Sequence, residues 1–125
     1  MFAIVIGNGD LKQSLSSSLD ELGLGFNYVN CDKDMLEIDL KKIGLYRADL
    51  LICLTDEDDF NFYFCKKAKV DYNVPLTLAL ANCSDNIETM KLQGIDFVIC
   101  PNLFILNSLK RILSLNKTSY ERLSS

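Results

Sequence analysis

Two glycines one residue apart, Gly7 and Gly9, close the apolar run Phe2-Ala3-Ile4-Val5-Ile6 and open a stretch of helical periodicity. Glycine at the first position permits a tight turn, and glycine at the second lets backbone come close to a pyrophosphate. A helix that begins just after such a turn aims its first N–H groups at an anion. The chemistry on offer is phosphate binding by bare amides. The dinucleotide fingerprint Gly-x-Gly-x-x-Gly is incomplete, because Lys12 stands at its third glycine. That glycine allows close helix–strand packing. Lys12 therefore predicts a wider gap or a side chain swung outward into solvent, with a point-charge contact to phosphate as the alternative.

Other reactive combinations are scarce. The chain has no histidine, which removes the commonest acid–base group near neutral pH. Ser14, Ser16 and Ser17 have no histidine partner, and Gly-x-Ser-x-Gly is missing. The five cysteines (Cys31, Cys53, Cys65, Cys83, Cys100) are odd in number and widely spaced, with no Cys-x-x-Cys pair. They fit small buried hydrophobes in a reducing compartment better than a disulfide framework or a zinc site. Asp32 and Asp34 follow an apolar run and read as turn residues rather than a metal pair. The acids Asp56-Glu57-Asp58-Asp59 suit a helix start, where negative charge complements the dipole. Asn61, one turn further on, is placed to hydrogen-bond back to the loop before it. Lys66, Lys67 and Lys69 suit the later turns of the same helix.

These residues need a scaffold, and the sequence describes one. At 125 residues the chain reads as a single domain over 1–125, able to bury roughly two-thirds of the surface its unfolded form exposes. It is 49% hydrophobic and 24% charged, the balance of a globular protein. A net charge of −4 without a basic patch argues against nucleic-acid binding. No apolar run reaches the ~20 residues needed to cross a bilayer, and the N-terminal run lacks the pattern of a secretory signal, so a cytoplasmic location without membrane insertion is expected.

Five strand-like runs, Phe2–Ile6, Phe26–Cys31, Leu50–Leu54, Leu76–Ala81 and Phe97–Cys100, alternate with helical patterns. Most are continuously apolar, which predicts an α/β fold: a Rossmann-like, doubly wound parallel sheet with helices on both faces and right-handed crossovers. The first helix carries Leu11, Leu15, Leu19 and Leu22 on one face and ends at Gly23 and Gly25. A short helix is expected from Met35 to Ile43, closed by Gly44, and another from Asp58 to Val70. Phe60, Phe62, Tyr63 and Phe64 make the latter apolar on more than one face, which suggests a second buried contact such as another subunit. A fourth helix begins with Asp85 and Glu88 in capping-box spacing and ends at Gly94. A last one starts at Pro101-Asn102 with Leu106, Leu109 and Leu113 on one face, before a polar tail over 116–125 that reads as frayed.

In this order the pieces resemble the nucleotide-binding lobe of the RCK/KTN (TrkA-N) family of potassium-channel and transporter regulatory domains. The resemblance covers about Met1 to Leu113. It is carried by Ile4-Val5-Ile6-Gly7-Asn8-Gly9, Ala48-Asp49-Leu50-Leu51-Ile52-Cys53-Leu54-Thr55-Asp56, Asn61, Val74-Pro75, and Gly94-Ile95-Asp96-Phe97-Val98-Ile99-Cys100-Pro101. It implies an adenine nucleotide, NAD(H) or ATP/ADP, lying across the switch point of the sheet. Gly7, Asn8, Gly9, Asp10 and Leu11 would then surround the phosphates, Asp32 would take the ribose hydroxyls, and Thr55 and Asp56 would border the nucleoside. It also implies a non-enzymatic homo-oligomer, dimeric or higher, resting on a separate membrane transporter or channel subunit at the inner face of the membrane. Besides Lys12, this chain departs from the family at Leu80, where members carry an arginine. The stretch between Asp32 and Asp49 is also too short for the usual helix, strand and helix, so one strand is expected to be missing. A degenerate domain without nucleotide is the rival reading, and a small NAD(P)-dependent enzyme a third.

Overall fold

A computed structural model of the chain describes residues 1–8, 11–31 and 40–124. Gly9, Asp10, Asp32, Asp34 and residues 35–39 of the expected short helix lie outside the described residues. The described strands are β1 (Phe2–Gly7), β2 (Gly25–Asn30), β3 (Leu50–Leu54), β4 (Leu76–Leu80) and β5 (Phe97–Ile99). They form one sheet in the order β2-β1-β3-β4-β5, and every pairing is parallel. The helices are α1 (Leu11–Glu21), α2 (Asp58–Tyr72), α3 (Ile87–Leu92) and α4 (Pro101–Ser124).

β1 is the most deeply buried strand. Ala3, Ile4, Val5 and Ile6 are all fully buried, and β1 pairs with β2 on one side and β3 on the other. From β1 the chain winds one way to β2, then crosses back over β1 to β3. The strand order therefore reverses between β1 and β3, and in open α/β sheets such a reversal opens a crevice at the carboxyl ends of the strands. Among the described residues no strand lies between β2 and β3; residues 40–44 turn into a 3-10 segment, Leu45–Arg47. β2 is correspondingly half exposed, as an edge strand would be.

The core has two layers. Ile4, Ile6, Leu51 and Cys53 face Phe64, Cys65 and Ala68 of α2, with Met90 and Ile95 beyond. On the opposite face Val5 and Ile52 pack against Leu19 of α1, with Leu15, Tyr28, Leu54 and Leu78 around them. α1 ends as the glycine spacing predicts. Gly23 takes φ 72, its N–H reaches Asp20 O at 3.0 Å, and the Leu24 N–H reaches Leu19 O at 3.0 Å. This paired closure needs a left-handed residue, which glycine supplies without strain.

One expectation is corrected. The capping box at Asp85 and Glu88 does not form. Ser84–Asn86 is a 3-10 turn leading into α3, and no side chain caps that helix. The turn is held from outside by Asp58, which leaves no capping role for Asp85. Coverage of the sheet is uneven towards its β5 edge. Leu78 and Leu80 of β4 lie in register with Phe97 and Ile99 of β5, and Leu78 is half-buried against the α1 layer whereas the two β5 side chains are open. Phe97 and Ile99 are 53% and 48% exposed. α4 is the segment that would cover them, yet Leu106, Leu109 and Leu113 stay 48%, 50% and 67% exposed. α4 also extends to Ser124, well past Leu113, because nothing after Pro101 breaks a helix.

Phe64 is 1% exposed and is among the largest buried side chains. Phe64→Ala is expected to lower unfolding free energy by about 3–5 kcal/mol through lost transfer energy and a residual cavity. Urea denaturation monitored by circular dichroism checks this.

Candidate functional site

The carboxyl ends of β1, β3 and β4 form the crest of the domain, and side-chain amides stitch them together. At the reversal, Gly7 of β1 lies beside Leu54 of β3, and the next residues meet across the gap. Asn8 Nδ2 donates to Asp56 Oδ1 at 2.7 Å, joining positions 48 apart in sequence. The two loops that would flank a nucleotide are thus brought together, and Asp56 presents its carboxylate at the surface.

Behind this contact lies Asn61, the first buried turn of α2. Its side chain is fully buried, so each of its polar atoms must find a partner. Asn61 Oδ1 accepts the Thr55 N–H at 3.0 Å and the Thr55 hydroxyl at 2.7 Å. Its Nδ2 donates to Thr55 O at 3.0 Å and to Leu80 O at 2.8 Å. One amide therefore occupies the backbone groups that β3 and β4 leave unpaired as they end. The hydrogen bond back to the loop expected of Asn61 is present. Thr55 is itself fully buried, and its hydroxyl, engaged by Asn61, also accepts the Glu57 N–H at 3.3 Å. Its side chain shapes the loop from below, and only Asp56 of this pair faces outward.

Asp58 forms the second clamp. Its Oδ1 accepts the Asn82 N–H at 2.6 Å and Asn82 Nδ2 at 2.9 Å. Its Oδ2 accepts the Cys83 N–H at 3.0 Å and Asn86 Nδ2 at 2.7 Å. Burial pushes the Asp58 carboxyl upward, but the hydrogen bonds from Asn86, from the Asn82 and Cys83 backbone and from the Asn82 side chain outweigh it. The group is held below the ordinary carboxylate value. Asn82 also donates to Thr55 O at 3.0 Å, and its own carbonyl accepts Asn102 Nδ2 from the start of α4 at 2.7 Å. The acidic run is thereby divided: Asp58 is structural, Asp56 faces the crevice, and Asp59 is exposed on α2. Among the described residues no group of histidine, cysteine or acidic side chains could hold a metal ion.

The remaining predicted site residues fall into place unevenly. Gly7 is buried in β1 and does not take a left-handed conformation, so the tight turn is not what requires glycine there. A Cβ at Gly7 would lie 2.8 Å from the Tyr28 hydroxyl, so close approach of Tyr28 is the requirement. Lys12 is exposed, in keeping with a solvated side chain. Leu11 begins α1. Gly9, Asp10 and Asp32 lie outside the described residues. Sequence reasoning missed Asn82, Asn86 and Tyr28. Each acts through a partner distant in sequence, which periodicity does not register.

Residues 19–101 match the family model described as the TrkA-N domain, a stretch that begins after the glycine turn and includes Thr55, Asp56 and Asn61. A Trk system potassium uptake protein TrkA homolog of Methanothermobacter thermautotrophicus is 22% identical over 137 residues, covering 95% of this chain and 63% of the relative. The GsuK RCK domain superposes with a TM-score of 0.80 at 20% identity, over 95% of this chain and 29% of that one. GsuK bound to ADP gives 0.76 at 21% identity, over 90% and 33%. The GsuK channel bound to NAD gives 0.73 at 21%, over 94% and 24%. The chain thus spans less than two thirds of that curated relative and about a third or less of these structures.

Because Asp58 is held below its unfolded value of about 3.9, its ionised form stabilises the native state above that pH. The contribution disappears as pH falls through the lower folded value. Asp58→Asn is expected to destabilise the protein at pH 7 by about 1–3 kcal/mol, since it replaces an acceptor of four donors. The gap between variant and parent should shrink below about pH 4. Thermal melts from pH 3 to pH 7 test the sign.

Proposed function

The chain belongs to the TrkA-N domain family, and from that premise we propose that it is a non-enzymatic regulatory domain of a potassium transport system. It binds an adenine nucleotide, NAD(H) or ATP/ADP, at the β1/β3 reversal. Through that ligand it biases a separate membrane-embedded channel or transporter subunit from the cytosolic side. The observation that carries this reading is the meeting of Asn8 and Asp56 at the one point where the strand order reverses. Gly7, Asn8, Gly9, Asp10 and Leu11 surround the phosphates. Asp32 takes the ribose hydroxyls, and the loop of Thr55 and Asp56 borders the nucleoside. The structures of GsuK with ADP and with NAD lend this ligand class support. Among the described residues no helix is long and apolar enough to cross a membrane. Regulation proceeds by population shift, the nucleotide favouring one arrangement of subunits over another.

The same contact favours a second reading. Asn8 and Asp56 already satisfy each other across the crevice, and Leu80 offers no positive charge to a phosphate. A domain of this kind that has lost its nucleotide would act only as an assembly module. Thermal melts with NAD+, NADH, ATP, ADP and AMP separate the two. Ligand at about 100 times its dissociation constant adds roughly 2.7 kcal/mol of stability. Gly9→Val should abolish that gain while leaving a folded protein, and the absence of any shift in the parent would select the assembly module.

The homo-oligomer rests on the uncovered sheet face. Phe97 and Ile99 of β5 stand exposed beside half-buried Leu78 and Leu80, and α4 carries an exposed stripe of Leu106, Leu109 and Leu113. Exposed apolar surfaces of this extent mark association sites. The partner here is a second copy, whose α4 supplies the missing roof. Leu109→Glu is expected to shift the protein at micromolar concentration toward lower mass in light scattering, without loss of helical signal.

A further inference from the structure

The crevice at the β1/β3 reversal holds a negative charge where a nucleotide brings its own. Asp56 is exposed, and its Oδ1 accepts Asn8 Nδ2 at 2.7 Å. Asn8 follows Gly7 in the turn assigned to the phosphates, so the carboxylate stands one hydrogen bond away from that turn. An amide is neutral and leaves the charge of Asp56 uncancelled. Asp58 differs, because four donors converge on its carboxylate and it is half-buried toward residues 82–86. Glu57 and Asp59 are exposed in the same segment and add to the negative field. Leu80, at the end of β4, offers no counter-charge. Lys12 is exposed at the second residue of α1. One cation there balances one anion, whereas a chain of phosphates brings several.

Charge therefore ranks the adenine ligands. Each phosphate added along the series AMP, ADP, ATP adds negative charge. NAD+ carries the least, because its bridging phosphates have no second proton to lose and its nicotinamide ring is a cation. A unit charge about 7 Å from a carboxylate across water changes affinity about threefold. We propose that the crevice selects its nucleotide by charge, taking NAD+ ahead of ADP and ATP, and that Asp56 sets this preference. The inference rests on the nucleotide reading above and narrows its ligand. The discrimination is repulsive: it penalises the polyphosphates and adds no contact to NAD+. Asp56 suits this role because its surroundings leave it ionised at the rim, whereas the clamps at Asn61 and Asp58 hold the fold without it.

The test measures dissociation constants of the full chain for NAD+, AMP, ADP and ATP by titration calorimetry, without divalent cations and at about 20 mM salt, where screening is weak. Asp56→Asn removes the charge and keeps an oxygen that can accept from Asn8, so shape is retained. The ATP-to-AMP ratio of dissociation constants is expected to be about tenfold lower in Asp56→Asn than in the parent, from two added charges at about threefold each. Raising salt to about 300 mM should shrink the parent's ratio and leave that of Asp56→Asn nearly unchanged. Asp56→Lys should favour ATP over AMP, and circular dichroism checks that both variants fold. A purely structural role for Asp56 would weaken all four ligands in parallel and leave the ratio unmoved, which overturns the proposal. So does a parent that binds ADP or ATP more tightly than NAD+. A parent that binds none of the four fails the nucleotide reading as it stands. In that case ADP or ATP binding gained by Asp56→Lys upholds the charge of Asp56 as the obstacle, and no gain overturns both.

Discussion

The crest of this domain depends on satisfying the backbone groups that parallel strands leave unpaired where they end. A carbonyl or N–H buried there without a partner costs about 1–3 kcal/mol. At β3 and β4 the debt is met by one side chain, Asn61, whose amide engages Thr55 through three contacts and Leu80 through a fourth. No other residue type of that size offers both an acceptor and two donors in one plane. Because α2 carries Asn61, the helix is fixed in register against two strand ends at once. Asp58, one turn earlier, is thereby aimed at residues 82–86, and Asp56 is aimed at Asn8. The geometry of the candidate site follows from that amide more than from the glycine turn.

A consequence is that rigidity and accessibility are unevenly distributed over the crest. The β3–β4 side is held by buried, multiply bonded groups, and the fully buried Thr55 has its hydroxyl proton already engaged by Asn61. On the β1–β3 side the described residues meet in a solvent-accessible contact between a neutral amide and a carboxylate. A surface contact of that kind contributes little net free energy, because water competes for both groups. Any molecule entering the crevice therefore meets a firm wall on one side and an easily exchanged contact on the other. The Asp56 charge disfavours an unaccompanied phosphate at that contact and favours a hydroxyl or amine donor.

Much of this architecture was legible in the residues themselves. Five apolar runs marked five strands within a residue or two, because a parallel sheet buried on both faces writes an unbroken apolar string. Gly23 and Gly94 marked helix ends, both with positive φ. Asn61 could be assigned a supporting role because an amide just inside a helix, after a strand, has few other uses. What the sequence could not disclose lies in long-range pairings. Nothing local to Asp85 and Glu88 reveals that Asp58 holds their turn. Nothing local to Gly7 reveals that Tyr28, on the neighbouring strand, needs the space. Periodicity in α4 marked an apolar face correctly, yet periodicity states only that a face must be covered, not that the covering surface belongs to the same chain.

That last distinction bears on how stability should be understood here. Phe97 and Ile99 of β5 and a stripe on α4 remain exposed among the described residues. Each fully buried large apolar side chain is worth about 1.5–3 kcal/mol, so covering even half of these residues represents a sum comparable to the whole stability of a small domain, about 5–15 kcal/mol. Where a second copy covers them, folding and assembly are linked by mass action, and protein concentration enters the apparent melting temperature as a ligand would.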